Sequence, residues 1–229
     1  MNGMTRHPVT RWLGGAAFVG ALAFAAWTFF SRWAEPRRFE GWRPVVINAA
    51  LVLAFALHHS LFARDGVKGW VGRLIRPDMV RSAYVWAASL LLILVVTIWQ
   101  PIGGTLYEAT GWSAVVAAMA QIGGVGLIVG SVRSIDPLEL AGIRVTPRSV
   151  GLQCTGPYRL VRHPLYLGWT LLVFGAGSMT GDRLAFAVLT TFYIALAIPW
   201  EERSLQAAFG ADYERYKRQV RWRLLPYLY

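Results

Sequence analysis

Two short stretches, CTGPYRLVRHPLYLGW at 154–169 and WEER at 200–203, hold the side chains of this 229-residue chain best suited to chemistry. Pro164 fits the first position of a helix, where its missing N–H costs nothing, and it pushes His163 towards extended backbone. A helix starting at Pro164 aims its positive dipole end and free N–H groups at whatever Arg159 and Arg162 face. That arrangement suits a carboxylate or a phosphate. Arg and Tyr also mark the point where a helix leaves a membrane, so the stretch reads equally as an interfacial anchor. At the other end, Glu201 and Glu202 follow directly on an uncharged run. Neighbouring side chains point about 100° apart on a helix, so one carboxylate can face a site while the other faces a partner. The alternative is two solvated acids opening a surface helix, with Arg203 balancing them.

Further candidates are weaker. QIGGVGLIVGSVR (121–133) brings Gly123, Gly126 and Gly130 to roughly one helical face. Small residues let helices pack closely in lipid, and the same lack of side chains lets a flat ligand lie against the backbone. Asp136 and Glu139 sit beside Arg133 and Arg144, either pairing to hold their loop or orienting a ligand. His58-His59 reads as a buried pair hydrogen-bonded to neighbouring helices rather than as metal ligands. The chain has four histidines in total, too few for a membrane di-iron centre built from several histidine clusters. Cys154 is the single cysteine, so no intramolecular disulfide and no cysteine-based metal cluster can form. It reads as incidental.

The elements that position these residues follow from charge. Six stretches lack Asp, Glu, Lys and Arg: 12–31, 44–63, 82–107, 109–132, 163–181 and 184–200. Each approaches the ~17–25 residues a helix needs to cross a bilayer core, and backbone polar groups in lipid must be satisfied internally. The expectation is an all-α, polytopic integral membrane protein of about six transmembrane helices, with one domain over 1–229. The first run is too long for a signal-peptide h-region and lacks a small-residue cleavage site, so it is expected to remain. If all six runs span, Lys and Arg divide 18 to 5 between the two sides. By the positive-inside rule, the termini and the 64–81 and 133–162 loops then lie in the cytoplasm, where a thiol such as Cys154 stays reduced. The net charge of +11 is therefore mostly topology plus attraction to anionic lipid, and nucleic acid is not the expected partner. The last two runs, joined by little more than GDR, form a helical hairpin. That hairpin brings RHPLY and WEER together.

These motifs have a known pattern. GPYRLVRHPLYLGW, an uncharged hairpin, then EER and FGADYERYKRQV resemble the isoprenylcysteine and phospholipid methyltransferase superfamily over 150–226. HHSLFARDGVKGW, RSAYVWAASLLLIL and IDPLELAGIR extend the resemblance towards the methanethiol S-methyltransferase and NnrU-like branch. The resemblance implies an integral membrane enzyme of the inner membrane that uses S-adenosylmethionine, with its cofactor-binding core at about 121–226. It implies cofactor contacts from Gly124, Gly126, Arg162, His163, Pro164, Tyr166, Glu201 and Glu202, with Arg159 beside them. No metal is implied. A thiol acceptor needs deprotonation, because the thiolate is the nucleophile; His163, Glu201 and Tyr166 are the candidate bases. The acceptor expected is a small thiol such as methanethiol. An isoprenylcysteine carboxylate, a phospholipid amine, or a non-catalytic NnrU-like role are the alternatives. The hairpin turn FGAGSMTGDR and the basic VRWRLLP depart from the pattern and leave the acceptor more open than the cofactor.

Overall fold

A computed structural model describes residues 8–76, 79–135, 137–144 and 151–229, and no side chain at 8, 63, 65 or 139. Asp136 and the Glu139 side chain fall outside the described residues. The chain is mainly helical. In order it runs α1 (Pro8–Phe30), α2 (Trp42–Ala63), α3 (Asp65–Leu74), α4 (Val80–Ile98), β1 (Thr105–Glu108), α5 (Trp112–Ser134), α6 (Pro137–Leu140), α7 (Pro164–Phe174), β2 (Ser178–Thr180), α8 (Gly181–Phe209) and α9 (Ala211–Gln219). Among the described residues, α1, α2, α4, α5 and α8 are long and apolar enough to cross a membrane. The fifth uncharged run, 163–181, is different. Its helix, α7, has 11 residues, and at 1.5 Å per residue it is ~16 Å long, about half a bilayer core.

Contacts group the described residues into two compact units. One comprises the described residues within 1–33, 43–100 and 136–149; the other comprises those within 34–42, 101–135 and 150–229. The first unit is organised by α1 against α4. Helix α4 stops short of the end of its uncharged run because Pro101 lies ahead, and a proline cannot continue the ladder. Asn48, fully buried, compensates there: its Nδ2 donates to Gln100 O at 2.8 Å, and Gln100 N donates to Asn48 Oδ1 at 2.9 Å. The histidine pair lies in this unit. Tyr84 OH lies 2.7 Å from His59 Nδ1, while the His58 ring stacks on Tyr84 with centroids 5.9 Å apart.

The second unit carries the hairpin. Helix α5 packs on α7 through two glycines. A Cβ on Gly124 would lie 2.6 Å from Gly168 O, and a Cβ on Gly168 would lie 2.7 Å from Gly124 O. Only glycine permits that approach. Helix α7 gives way at Gly175, Ala176 and Gly177, where glycine lowers helix propensity, and the chain enters a small ribbon instead. Strand β2 pairs antiparallel with β1, Thr180 opposite Thr105. This ribbon is an addition to the expected all-helical fold. Asp182, in the first turn of α8, fixes it by accepting from Ile102 N at 3.0 Å and Gly103 N at 3.1 Å. Gly103 has φ +69, and a Cβ there would collide with the Arg38 carbonyl. Trp169 Nε1 donates to Thr190 Oγ1 at 3.1 Å and ties α7 to α8.

Candidate active site

The two ends of the hairpin meet at one buried carboxylate. Glu202 accepts from Arg162 Nε at 2.6 Å on Oε1 and from Arg223 Nε at 3.0 Å on Oε2. Arg162 and Glu202 are both buried, and an unpaired charge in such a place would be costly. The pairing is completed by backbone. Arg162 Nη1 donates to Val220 O at 2.8 Å and Arg221 O at 2.7 Å. The main chain adds two more in the same direction: Arg162 N donates to Trp222 O and His163 N to Arg223 O, each at 2.9 Å. The segment following α9 therefore clasps the chain just ahead of α7.

His163 caps α7 with φ −124 and ψ 64, short of the fully extended backbone that a following proline favours. The reason is local: its carbonyl accepts from Tyr166 N and Leu167 N, both at 3.1 Å, and so begins the helix. Pro164 is buried at the first helical position, as the sequence predicts. The His163 ring is 5% exposed and stacks on Tyr166, with centroids 5.5 Å apart and planes 5° apart. Its Nε2 is buried and has no hydrogen-bond partner, lying 3.5 Å from Glu202 Oε1. Its Nδ1 lies 3.6 Å from Glu201 Oε2, which accepts from Tyr166 OH at 2.9 Å.

The paired glutamates thus divide as their angular separation allows. Glu202 is locked between two guanidinium groups, and Glu201, with a side chain 44% exposed, presents its carboxylate at an open edge. Pro199 sits just before them inside α8 and leaves Ala195 O without its helical donor; Tyr229 OH approaches that carbonyl at 3.4 Å. Behind Glu202 lies a cluster of Tyr213, Tyr216 and Val220, with Cys154 and Tyr158 against it. Burial and the charge of Glu201 push the Tyr158 phenol up to about 12. Burial and the charges of the Glu202 and Glu201 carboxylates push Tyr213 up as well. The arrangement offers a buried ion pair, a helix N-terminus, an open carboxylate and a histidine nitrogen with its lone pair or proton uncommitted. It can hold a zwitterionic ligand and move one proton.

The remaining expected residues occupy other positions. Gly124 faces the backbone of α7, and Gly126 is exposed with open space where a side chain would be. Arg159 is exposed at the end of a short 3₁₀ turn, Gly156–Arg159. Gly130 packs against Pro157 of that turn. Sequence reasoning missed Arg223, although the basic character of VRWRLLP was the available signal.

The family model described as phospholipid methyltransferase matches residues 99–212. That span contains β1, α5, α7, β2 and α8, both hairpin ends included, and stops before Tyr213 and Arg223. The chain is 37% identical over 185 residues to "Methanethiol S-methyltransferase 1" of Bradyrhizobium diazoefficiens, covering 77% of this chain and 65% of that protein. It is 37% identical over 196 residues to "Methanethiol S-methyltransferase" of Crocosphaera subtropica, covering 80% of this chain and 75% of that one. The chain belongs to this methyltransferase family. A more distant relative of different name, "Nurim" of Sus scrofa, is 28% identical over 180 residues, covering 71% of this chain and 68% of its own. No solved structure matches. As a member of a methyltransferase family, the chain implies a methyl donor, and its five apolar helices make it an integral membrane protein.

Proposed function

We propose that the chain is an S-adenosylmethionine-dependent membrane methyltransferase that S-methylates a small thiol such as methanethiol, giving dimethyl sulfide. The observation that carries the reading is the meeting of His163, Tyr166, Glu201 and Glu202 at the N-terminus of α7, with the His163 Nε2 unpartnered. The donor set fits the cofactor. The N-terminus of α7 favours an anionic group, as the cofactor's carboxylate requires, and the open Glu201 carboxylate suits its cationic groups. Arg162 and Pro164 hold the site's shape. When bound, S-adenosylmethionine would supply an electrophilic methyl group with a good leaving group, so no metal is needed.

The residues of the chain then have three tasks. Tyr166 donates to Glu201 and fixes its carboxylate at the open edge. Arg162 and Glu202 neutralise each other and keep the His163 backbone in place. His163 Nε2 is the best-situated of the three candidate bases to take the thiol proton, because Glu201 is already engaged by Tyr166. Positioning supplies much of the rate in such a displacement, since the sulfur must approach the methyl carbon in line. A small neutral thiol and its thioether product reach and leave such a site through lipid. The active site and both termini face the cytoplasm of a bacterial-type inner membrane on this reading, because the basic residues collect on that side.

The test is direct. Purified protein is incubated with S-adenosylmethionine and methanethiol, and headspace dimethyl sulfide is measured. An unperturbed thiol has a pKa of about 8.5, so the rate is expected to rise with pH until the thiol or the site's base is fully deprotonated. Farnesylcysteine analogue and phosphatidylethanolamine form the other arms. Methylation of either, without dimethyl sulfide, transfers the acceptor to a prenylated cysteine or to a phospholipid, the latter being the class in the family's description. Cofactor that fails to bind at all favours a non-catalytic role.

A further inference from the structure

Resting on that function, we infer that Arg223 is a positioning residue of the methyl-donor site, holding both ends of the helical hairpin at one point. Its side chain takes Glu202 Oε2 at 3.0 Å, and its carbonyl takes His163 N at 2.9 Å. Among the contacts described, it is the residue outside the two motifs that bonds both His163 and Glu202. Arg223 lies beyond the residues that the family model matches, 99–212.

The local fold holds Arg223 to this task. The main-chain oxygen of Tyr229 accepts from the amides of Arg223, Leu224 and Leu225, at 3.0, 2.9 and 3.1 Å. The Tyr229 ring lies under the Arg223 guanidinium, 5.2 Å from its Cζ. Leu224 is buried against Val161, Leu167 and Ile198 and anchors the segment on both helices of the hairpin. A stabilising role alone fits less well. The Arg223 side chain is 37% exposed, so its removal strands no buried cation, and Arg162 remains on Glu202. What its removal frees is Glu202 Oε2. That oxygen can then turn towards His163, whose unpartnered Nε2 already lies 3.5 Å from Oε1. A His163 engaged by Glu202 is withdrawn from the donor and the acceptor.

A double-mutant cycle tests this on the full-length protein in detergent, titrating S-adenosylmethionine into wild type, Arg223→Gln, Glu202→Gln and the double variant. Arg223→Gln is expected to weaken donor binding about tenfold, with a modest fall in the melting midpoint because the Arg223 side chain is 37% exposed and Arg162 remains on Glu202. In the Glu202→Gln background the same substitution is expected to have almost no effect, because Arg223 acts through Glu202. Arg223→Lys, which keeps the cation, should restore most of the affinity even if Arg223→Gln folds poorly. Equal weakening in both backgrounds, no weakening in either, or a Lys variant as defective as Gln at an unchanged melting midpoint overturns the inference. Wild-type protein that binds no donor overturns instead the function on which it rests, and the inference with it.

Discussion

Each unit of the molecule contains a histidine against a tyrosine, and the two pairs differ in everything around them. In the first unit His59 Nδ1 lies 2.7 Å from Tyr84 OH, with His58 stacked on the same ring and Phe62 against His58 at 4.7 Å. In the second unit His163 stacks on Tyr166, and two carboxylates and two arginines surround them. The Tyr84–His59 contact is a hydrogen bond between helices, worth about 1 kcal/mol. The His163 group is a charge network at a helix end, where removing one partner leaves another uncompensated. The same two side-chain types make a fastening in one place and a candidate site in the other. The second group is set apart by the Arg162–Glu202–Arg223 ion-pair network beside it.

Breaking the charge network should have the largest effect. Arg162→Ala leaves Glu202 buried with half its partners and strips Val220 and Arg221 of their donor. A loss of about 3–5 kcal/mol is expected, read as a fall in the denaturation midpoint together with lost donor binding. Next comes the direct contrast between the histidines. His163→Ala should lower methyl transfer about 10²–10⁴-fold, as loss of a general base does, in a protein that still folds. His59→Ala should leave the transfer rate per folded molecule unchanged and cost about 1 kcal/mol of stability. Equal losses of transfer in the two variants would erase the distinction drawn here.

The tyrosines sharpen the contrast at lower amplitude. Tyr166→Phe removes the donor that fixes Glu201, and donor affinity should fall by a factor of about ten. Tyr84→Phe should be silent in the same titration and visible only as a small drop in melting temperature. The smallest effect concerns Cys154, at the rim of the tyrosine cluster. Burial and the Asp212 carboxylate push its thiol up from the usual cysteine range. A raised pKa means less thiolate at any given pH. Maleimide should therefore label Cys154 more slowly than a free cysteine at pH 7, with the deficit closing as pH rises past the raised value. Asp212→Asn should speed the reaction at pH 7 and leave methyl transfer alone.

Much of this was legible before the fold was known. The uncharged runs predict membrane helices because hydrocarbon tolerates neither charge nor unpaired backbone. The shortness of the link at GDR requires RHP and EE to share one end of a hairpin, and the structure joins them through Arg162 and Glu202 at 2.6 Å. Pro164 opens α7 as its fixed φ dictates. These features follow from local rules, so a linear reading reaches them. The length of α7 did not follow, because an uncharged run does not distinguish helix from the strand β2, which exists only through pairing with β1 some seventy residues earlier.

Sequence by itself determined the membrane character, the hairpin and the family motifs. Tertiary structure decided which glutamate is closed and which is open, that Gly124 faces backbone while Gly126 faces space, and that Arg223 joins the site. The reason is geometric. Residue type and helical period fix how far apart two side chains point, but not the absolute direction of either. That direction is set by what packs against the helix. Here it is set by a segment after α9, whose carbonyls and guanidinium meet the hairpin only once the whole unit has folded.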